Sequence, residues 1–345
     1  MDQNEMQREI QRQFQLMLNY CFGMMNDPEK LYIIQQCGLG DIIINGGLAQ
    51  AVVTKFKKRT AVLMVREQFR SLDVSFDGVD EVKFLPWNIM DGFCQYLRAT
   101  KQYVGPNFIY GHFRRDAKDK FIMSKELGFV DQYRHDVFEL PLDAPFRAPI
   151  VKDISAEAQQ KLERAYVLDP NRTVILAPYA NSTKLLNSAF WLNLVEQLNR
   201  RGYVIYTNVG RNRQSRIENP LPGTRPMFVS LNEIFHIMSR VKSLIALRSG
   251  LLDLLVFSKG NIICLSPHTY RSSNDLKLIF PQSSASIRTL YFDFALFPKI
   301  NALIAEHDLL GMQLGAIKHK YIPDGNIFWS EDALLAAILR AVDAK

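Results

Sequence analysis

The chain has 345 residues, enough for two domains of ordinary size, and its 48% hydrophobic and 22% charged content suits a globular protein with ample core material. No apolar run approaches the ~20 residues that span a bilayer. The net charge of +7 is scattered, with short clusters at 55–59 and 114–115, so it favours phosphorylated small molecules or an anionic membrane surface over nucleic acid. The N-terminus, MDQNEMQREIQRQF, lacks the basic-then-apolar layout of a secretory signal. Cys21, Cys37, Cys94 and Cys264 lie far apart without metal-ligand spacing. They read as reduced thiols of a cytoplasmic protein, with no metal site.

In chain order, residues 2 to about 20 form a Gln-rich helix whose Ile10, Phe14, Met17 and Leu18 make one apolar stripe. A buried strand at 31–34 leads through Cys37-Gly38-Leu39-Gly40-Asp41 into a helix over 43–57. Strands at 61–65 and 81–85, a helix over 92–103, a strand at 108–110 and a helix near 119–127 complete a first Rossmann-like half. The proline-rich stretch 139–153 and a helix over 155–166 make the crossing to a second half.

That half restarts with a strand at 173–176, the polar loop 180–184 and a helix over 188–200, which Gly202 closes. A strand at 203–207 and a helix over 231–241 follow. Then comes a strand at 244–247, which ends at Arg248-Ser249-Gly250 before a short helix over 251–257 and a strand at 262–265. From 293 to 326 the pattern weakens, as in an insertion with helical parts, and an amphipathic helix over 330–342 closes the chain. Two successive α/β halves imply two facing doubly wound domains with a cleft between them. The boundaries are an N-terminal extension at 1–29, domains at 30–150 and 151–329, and a C-terminal helix at 330–345.

Three loops stand after strands and before helices, where ligands bind in open α/β sheets. At the first, Gly38 and Gly40 would let a ligand approach main-chain N–H groups. Residue 43 is Ile, so the third glycine of the dinucleotide fingerprint is missing. Asp41 fits two roles, an N-cap or a general base. The second loop, Asn181-Ser182-Thr183-Lys184, has hydroxyls and a lysine suited to phosphate, though it also reads as a solvated turn. The third offers Arg248, Ser249, Gly250 and, on the first helical turn, Asp253, which could accept hydrogen bonds from sugar hydroxyls or simply complement the helix dipole. His236 reads as structural and His268 as a weak cleft candidate. Hydrolase elbows and Walker loops are absent from the sequence.

Taken in order, these loops resemble those of the bacterial ADP-heptose-type lipopolysaccharide heptosyltransferases, a family of GT-B glycosyltransferases. The matches are Gly40-Asp41-Ile42, Thr183-Lys184 with Trp191, and Arg248-Ser249-Gly250, and the similarity spans 31 to 267. It implies a GT-B fold of two facing Rossmann-like domains around an interdomain cleft, acceptor domain first and donor domain second. It also implies Asp41 as the base of an inverting transfer, Lys184 on the donor phosphates, and the Ser249-Gly250 turn on donor phosphate or sugar. Two departures bear on the donor. Arg248 stands where the family has an acidic residue, and Asp253 where it usually has a histidine, which makes Arg248 a direct phosphate ligand and points to a donor other than ADP-heptose.

The expectation is a cytoplasmic, metal-independent enzyme without a cofactor. It would move sugar from a nucleotide-sugar donor to a glycan or glycolipid acceptor of the lipopolysaccharide or capsule type. The N-terminal helix and the positive charge allow attachment at the inner face of the membrane. The rivals are a nucleotide-sugar hydrolase or epimerase and a noncatalytic GT-B-like module that binds a glycan or a partner.

Overall fold

Runs such as Leu31–Ile34 and Leu244–Leu247 have no polar face, so they are stable as strands covered on both sides, and all eight residues are buried. The computed structural model describes residues 3–114, 124, 127–180, 186–210, 217–267, 276, 280, 282–292, 327–328 and 330–344. The chain forms two units, 1–150 and 151–345.

In unit 1, α1 (Gln3–Gly23) precedes β1 (Lys30–Ile34), α2 (Leu39–Lys55) and β2 (Thr60–Arg66). Then come β3 (Val74–Ser75), β4 (Val79–Leu85), α3 (Trp87–Ala99) and β5 (Phe108–Tyr110). A short helix, α4 (Phe129–Gln132), runs directly into a π-helical turn, Tyr133–Val137. The strands pair in parallel in the order β4-β2-β1-β5. α2 is apolar nearly all round, with Ile42, Ile43, Ile44, Leu48, Val52 and Val53 all buried. Its Gly46 lies against the Phe76 ring, where a β-carbon would come within 2.4 Å.

β6 (Ile150–Val151) straddles the boundary, and unit 2 continues with α5 (Ala156–Ala165). It continues with β7 (Thr173–Ala177), α6 (Ser188–Arg200), β8 (Val204–Asn208), β9 (Arg225–Met227) and α7 (Leu231–Ile237). After these come β10 (Ser243–Leu247), α8 (Gly250–Leu255), β11 (Asn261–Pro267), β12 (Ser286–Phe292), β13 (Ile327–Phe328) and α9 (Glu331–Asp343). The seven strands β13-β12-β11-β10-β7-β8-β9 are parallel. Trp191, Phe190, Leu194 and Leu198 of α6 share its core with Leu334 and Ile338 of α9.

Several boundaries differ from the sequence reading. α2 starts at Leu39 rather than at 43, because Gly38 is extended (φ −83°, ψ 178°) and the Asp41 carboxylate accepts its N–H at 2.8 Å. Asp41 is therefore the third residue of the helix and not its cap. α3 occupies 87–99 rather than 92–103, since Pro86 initiates it and Lys101 takes a positive φ of 55° past its end. The helix expected near 119–127 lies mostly outside the described residues, and Ser124 and Leu127, which are described, are not helical. The stretch 293–326 lies outside the described residues altogether. β12 was not anticipated: its apolar residues are broken by Arg288 and Thr289, which masks a strand lying between two others.

Within unit 1, Leu18, Cys21 and Met25 of the first segment pack with Met90, Phe93, Cys94 and Leu97 of α3. Burial pushes the Cys21 thiol up to about 11 and the Cys94 thiol up to about 12, from an ordinary 9.0. The folded state thus keeps protons that the unfolded chain releases above pH 9, so their contribution to stability is intact below that pH and is lost as pH rises toward 11–12. The thermal unfolding midpoint is expected to fall steadily above pH 9, and Cys21→Ala with Cys94→Ala to flatten that fall. Calorimetry from pH 7 to pH ~10.5 checks both.

Candidate active site

Each sheet reverses its direction of growth once. In unit 1 the chain runs β1, β2, β4 to one side and then places β5 on the other side of β1. In unit 2 it runs β7, β8, β9 and then places β10 beside β7. At such a reversal the loops leaving the two central strands part, and the crevice at their carboxyl ends receives the ligand. The loops concerned follow β1 and β5 in unit 1, and β7 and β10 in unit 2.

Asp41 and His112 meet at the first reversal. His112 follows β5 by two residues, and its Nε2 lies 4.0 Å from Asp41 Oδ1. The Asp41 side chain is 16% exposed. Its Oδ2 accepts the Gly38 N–H and its Oδ1 accepts the hydroxyl of Tyr133. Beneath it, the fully buried Asn45 donates through Nδ2 to Asp41 O (2.7 Å) and to Gly111 O (3.1 Å), which ties the first turn of α2 to the end of β5. Gly111 permits that approach, since a β-carbon there would stand 2.4 Å from Asn45 Oδ1.

Tyr133 is wholly buried. Its ring packs against Phe113 (4.9 Å between centroids), Phe129 (5.4 Å), Phe138 (6.4 Å) and His112 (6.4 Å). Burial, and then the negative charge of Asp41, holds its hydroxyl well above the usual tyrosine range, so it remains a donor. Burial likewise pushes the Cys37 thiol well up, with the Asp41 charge adding to it.

A second cluster lines the carboxyl ends of β1 and β2. The Arg66 guanidinium lies 3.4 Å from the centroid of the Trp87 ring and contacts Asp91 Oδ1 at 3.3 Å. Gln36 donates to the same carboxylate and accepts from Arg98 at 2.8 Å. Two arginines around one aspartate leave this corner net positive.

In unit 2 the structure brings Arg248 and Asp253 together. Arg248 Nη2 lies 2.7 Å from Asp253 Oδ1, with the side chains 9% and 4% exposed, and Nη1 donates to Ser249 O at 2.9 Å. The guanidinium charge is thus offset within its own loop. Ser249 caps α8 in an extended conformation without a side-chain bond, and Gly250 is the first helical residue. Thr183 and Lys184 lie outside the described residues, as does His268. The His236 ring is 3.0 Å from Lys152 O. Among the described residues no three His, Cys, Asp or Glu side chains gather as a metal site would require.

Sequence reasoning missed Tyr133, Asn45 and the Arg66–Trp87 stack. His112 carried a usable signal, its place just past a strand end. Tyr133 carried none, because 92 residues separate it from Asp41.

A glycosyl transferase family 9 protein from Veillonella parvula superposes with a TM-score of 0.56 at 13% identity, covering 92% of this chain and 98% of that one. The fold is that of the GT-B glycosyltransferases. The ADP-heptose lipopolysaccharide heptosyltransferase II of E. coli aligns over 81% of this chain and 99% of its own, with 14% identity and a TM-score of 0.49. No family model matches the sequence, and no curated protein does.

The Arg248–Asp253 pair makes a stability prediction. Arg248→Ala leaves the buried Asp253 carboxylate without its arginine and is expected to cost about 3–5 kcal/mol in urea unfolding, whereas Arg248→Met combined with Asp253→Leu costs far less. Equal losses in the two variants would show that the pair is not the source.

Proposed function

We propose that this GT-B protein is an inverting glycosyltransferase that moves a sugar from a nucleotide-sugar donor to a glycan or glycolipid acceptor of the lipopolysaccharide or capsule class. The observation that carries the reading is the Asp41 carboxylate. It is partly exposed at the reversal of the first sheet, anchored by a backbone N–H and a hydroxyl rather than by a lysine or arginine among the described residues. A carboxylate so held has lone pairs left to receive a proton.

In the transfer, Asp41 takes the proton of the acceptor hydroxyl as its oxygen attacks the anomeric carbon. The bond from that carbon to the phosphate oxygen breaks, and the nucleoside diphosphate departs with the electron pair. A positioned base of this kind contributes ~10²–10⁴-fold. Negative charge grows on the leaving diphosphate, and Lys184, the Thr183 hydroxyl and main-chain N–H groups at the Ser249–Gly250 turn meet it. Arg248, paired with Asp253, holds the shape of that turn beside the donor. Gly38 and Gly40 keep the loop ahead of α2 open to the acceptor. With lysine and backbone dipoles in this role the transfer needs neither metal nor cofactor. The Arg66–Trp87 corner suits an acceptor bearing a carboxylate or phosphate.

A glycolipid acceptor places the enzyme at the inner face of the membrane. Among the described residues no helix is long and apolar enough to cross one. α1 exposes Met6, Ile10 and Phe14, which fall on one stripe, while Glu5 and Glu9 offset Arg8 and Arg12. Apolar burial, more than charge, is what this helix offers a bilayer surface.

A thermal-shift screen against nucleoside diphosphates and their sugars, followed by turnover with and without glycan acceptors, tests the reading. A ligand at about 100 times its Kd is expected to stabilise the fold by about 2.7 kcal/mol. Asp41→Asn is expected to bind the donor as the wild type does and to transfer ~10²–10⁴-fold more slowly. Cleavage of the donor at full rate without acceptor would make the chain a hydrolase. Unchanged transfer in Asp41→Asn would remove the base assigned here.

A further inference from the structure

We propose that Tyr133 is a positioning residue for Asp41: its hydroxyl, donated to Oδ1 from inside the aromatic core of unit 1, fixes the plane of the carboxylate and thereby the lone pairs offered to the acceptor. The proposal rests on the reading of Asp41 as the base.

The geometry is specific. One carboxylate oxygen of Asp41 is held by the Gly38 N–H and the other by Tyr133, so rotation of the group about its last bond would break both contacts at once. Gly38 belongs to the helix start, but Tyr133 comes from an element 92 residues away. The tyrosine opens the π turn Tyr133–Val137 behind α4, a wide turn of the sort that recurs at functional sites. Three phenylalanines and the His112 ring surround it, so the ring has no room to swing its hydroxyl elsewhere.

Protonation keeps the contact one-way. Burial first and the Asp41 charge second hold the Tyr133 hydroxyl far above working pH, so it donates throughout. Among the described residues, the groups that face the Asp41 carboxylate are the Gly38 N–H from the α2 start, the Cys37 thiol from the β1 loop, His112 from the β5 end and Tyr133 from the π turn. The thiol is pushed up as well. His112 is then the one member of this set whose type ordinarily changes charge between pH ~5 and pH ~8. A base works only within hydrogen-bond reach of the proton it takes, and small misplacements of such groups are costly to rate.

Tyr133→Phe removes one oxygen and keeps every ring contact. In the full chain without ligand, proton NMR of the wild type is expected to show a downfield, slowly exchanging hydroxyl resonance. That resonance should vanish in Tyr133→Phe and move upfield or vanish in Asp41→Asn. With the nucleoside diphosphate sugar that turns over in the screen, Tyr133→Phe should lower kcat by about tenfold or more with donor KM unchanged. A resonance unaffected by Asp41→Asn overturns the contact. A Tyr133→Phe enzyme with wild-type kcat, beside an inactive Asp41→Asn, overturns the positioning role and leaves the base in place. Full activity in Asp41→Asn overturns the base itself, whatever the resonance does.

Discussion

One carboxylate held from two directions is the constraint on which the functional half of this molecule depends. Asp41 stands in the first turn of α2, where helix N–H groups attract negative charge, and it closes that turn on Gly38. Asn45, one turn further along, pins the same stretch to the end of β5 through Gly111. The bare α-carbon of Gly111 and the parallel order of β1 and β5 allow the two loops to meet. The site is therefore a product of the sheet: without the return of the chain to the far side of β1, His112 and Asp41 would not be neighbours.

The second sheet repeats the device with other chemistry. Its reversal falls between β7 and β10, and the loop after β10 holds a buried Arg248–Asp253 pair. An isolated guanidinium in so enclosed a place would carry a heavy desolvation cost, and the aspartate offsets it. The arginine and the aspartate are thus two halves of one buried pair. Together they leave the loop close to neutral.

Much of the fold was legible because a parallel strand covered on both faces has to be apolar throughout. The runs 31–34, 61–65, 173–176, 244–247 and 262–265 announce themselves, and the glycine- and polar-rich breaks between them mark helix starts. β12 was illegible because Arg288 and Thr289 interrupt its apolar pattern, and β13 because two residues make no pattern at all. For the site, position after a strand singled out Asp41 and Arg248. It could not say that Asp41 would be helical, because an Asp that closes its own turn looks like a cap in the sequence. Nor could it pair Arg248 with Asp253 or bring Tyr133 to Asp41, since those depend on side-chain direction and on chain returning from far away.

The chemistry assigned to Asp41 is a single displacement, in which acceptor and leaving group stand on opposite faces of the anomeric carbon. The measurement that meets this most directly is the anomeric configuration of the product, read from proton couplings during turnover with a donor of known configuration. Inversion is the expected result. Retention would require a covalent or front-face route and would contradict the role given to the carboxylate.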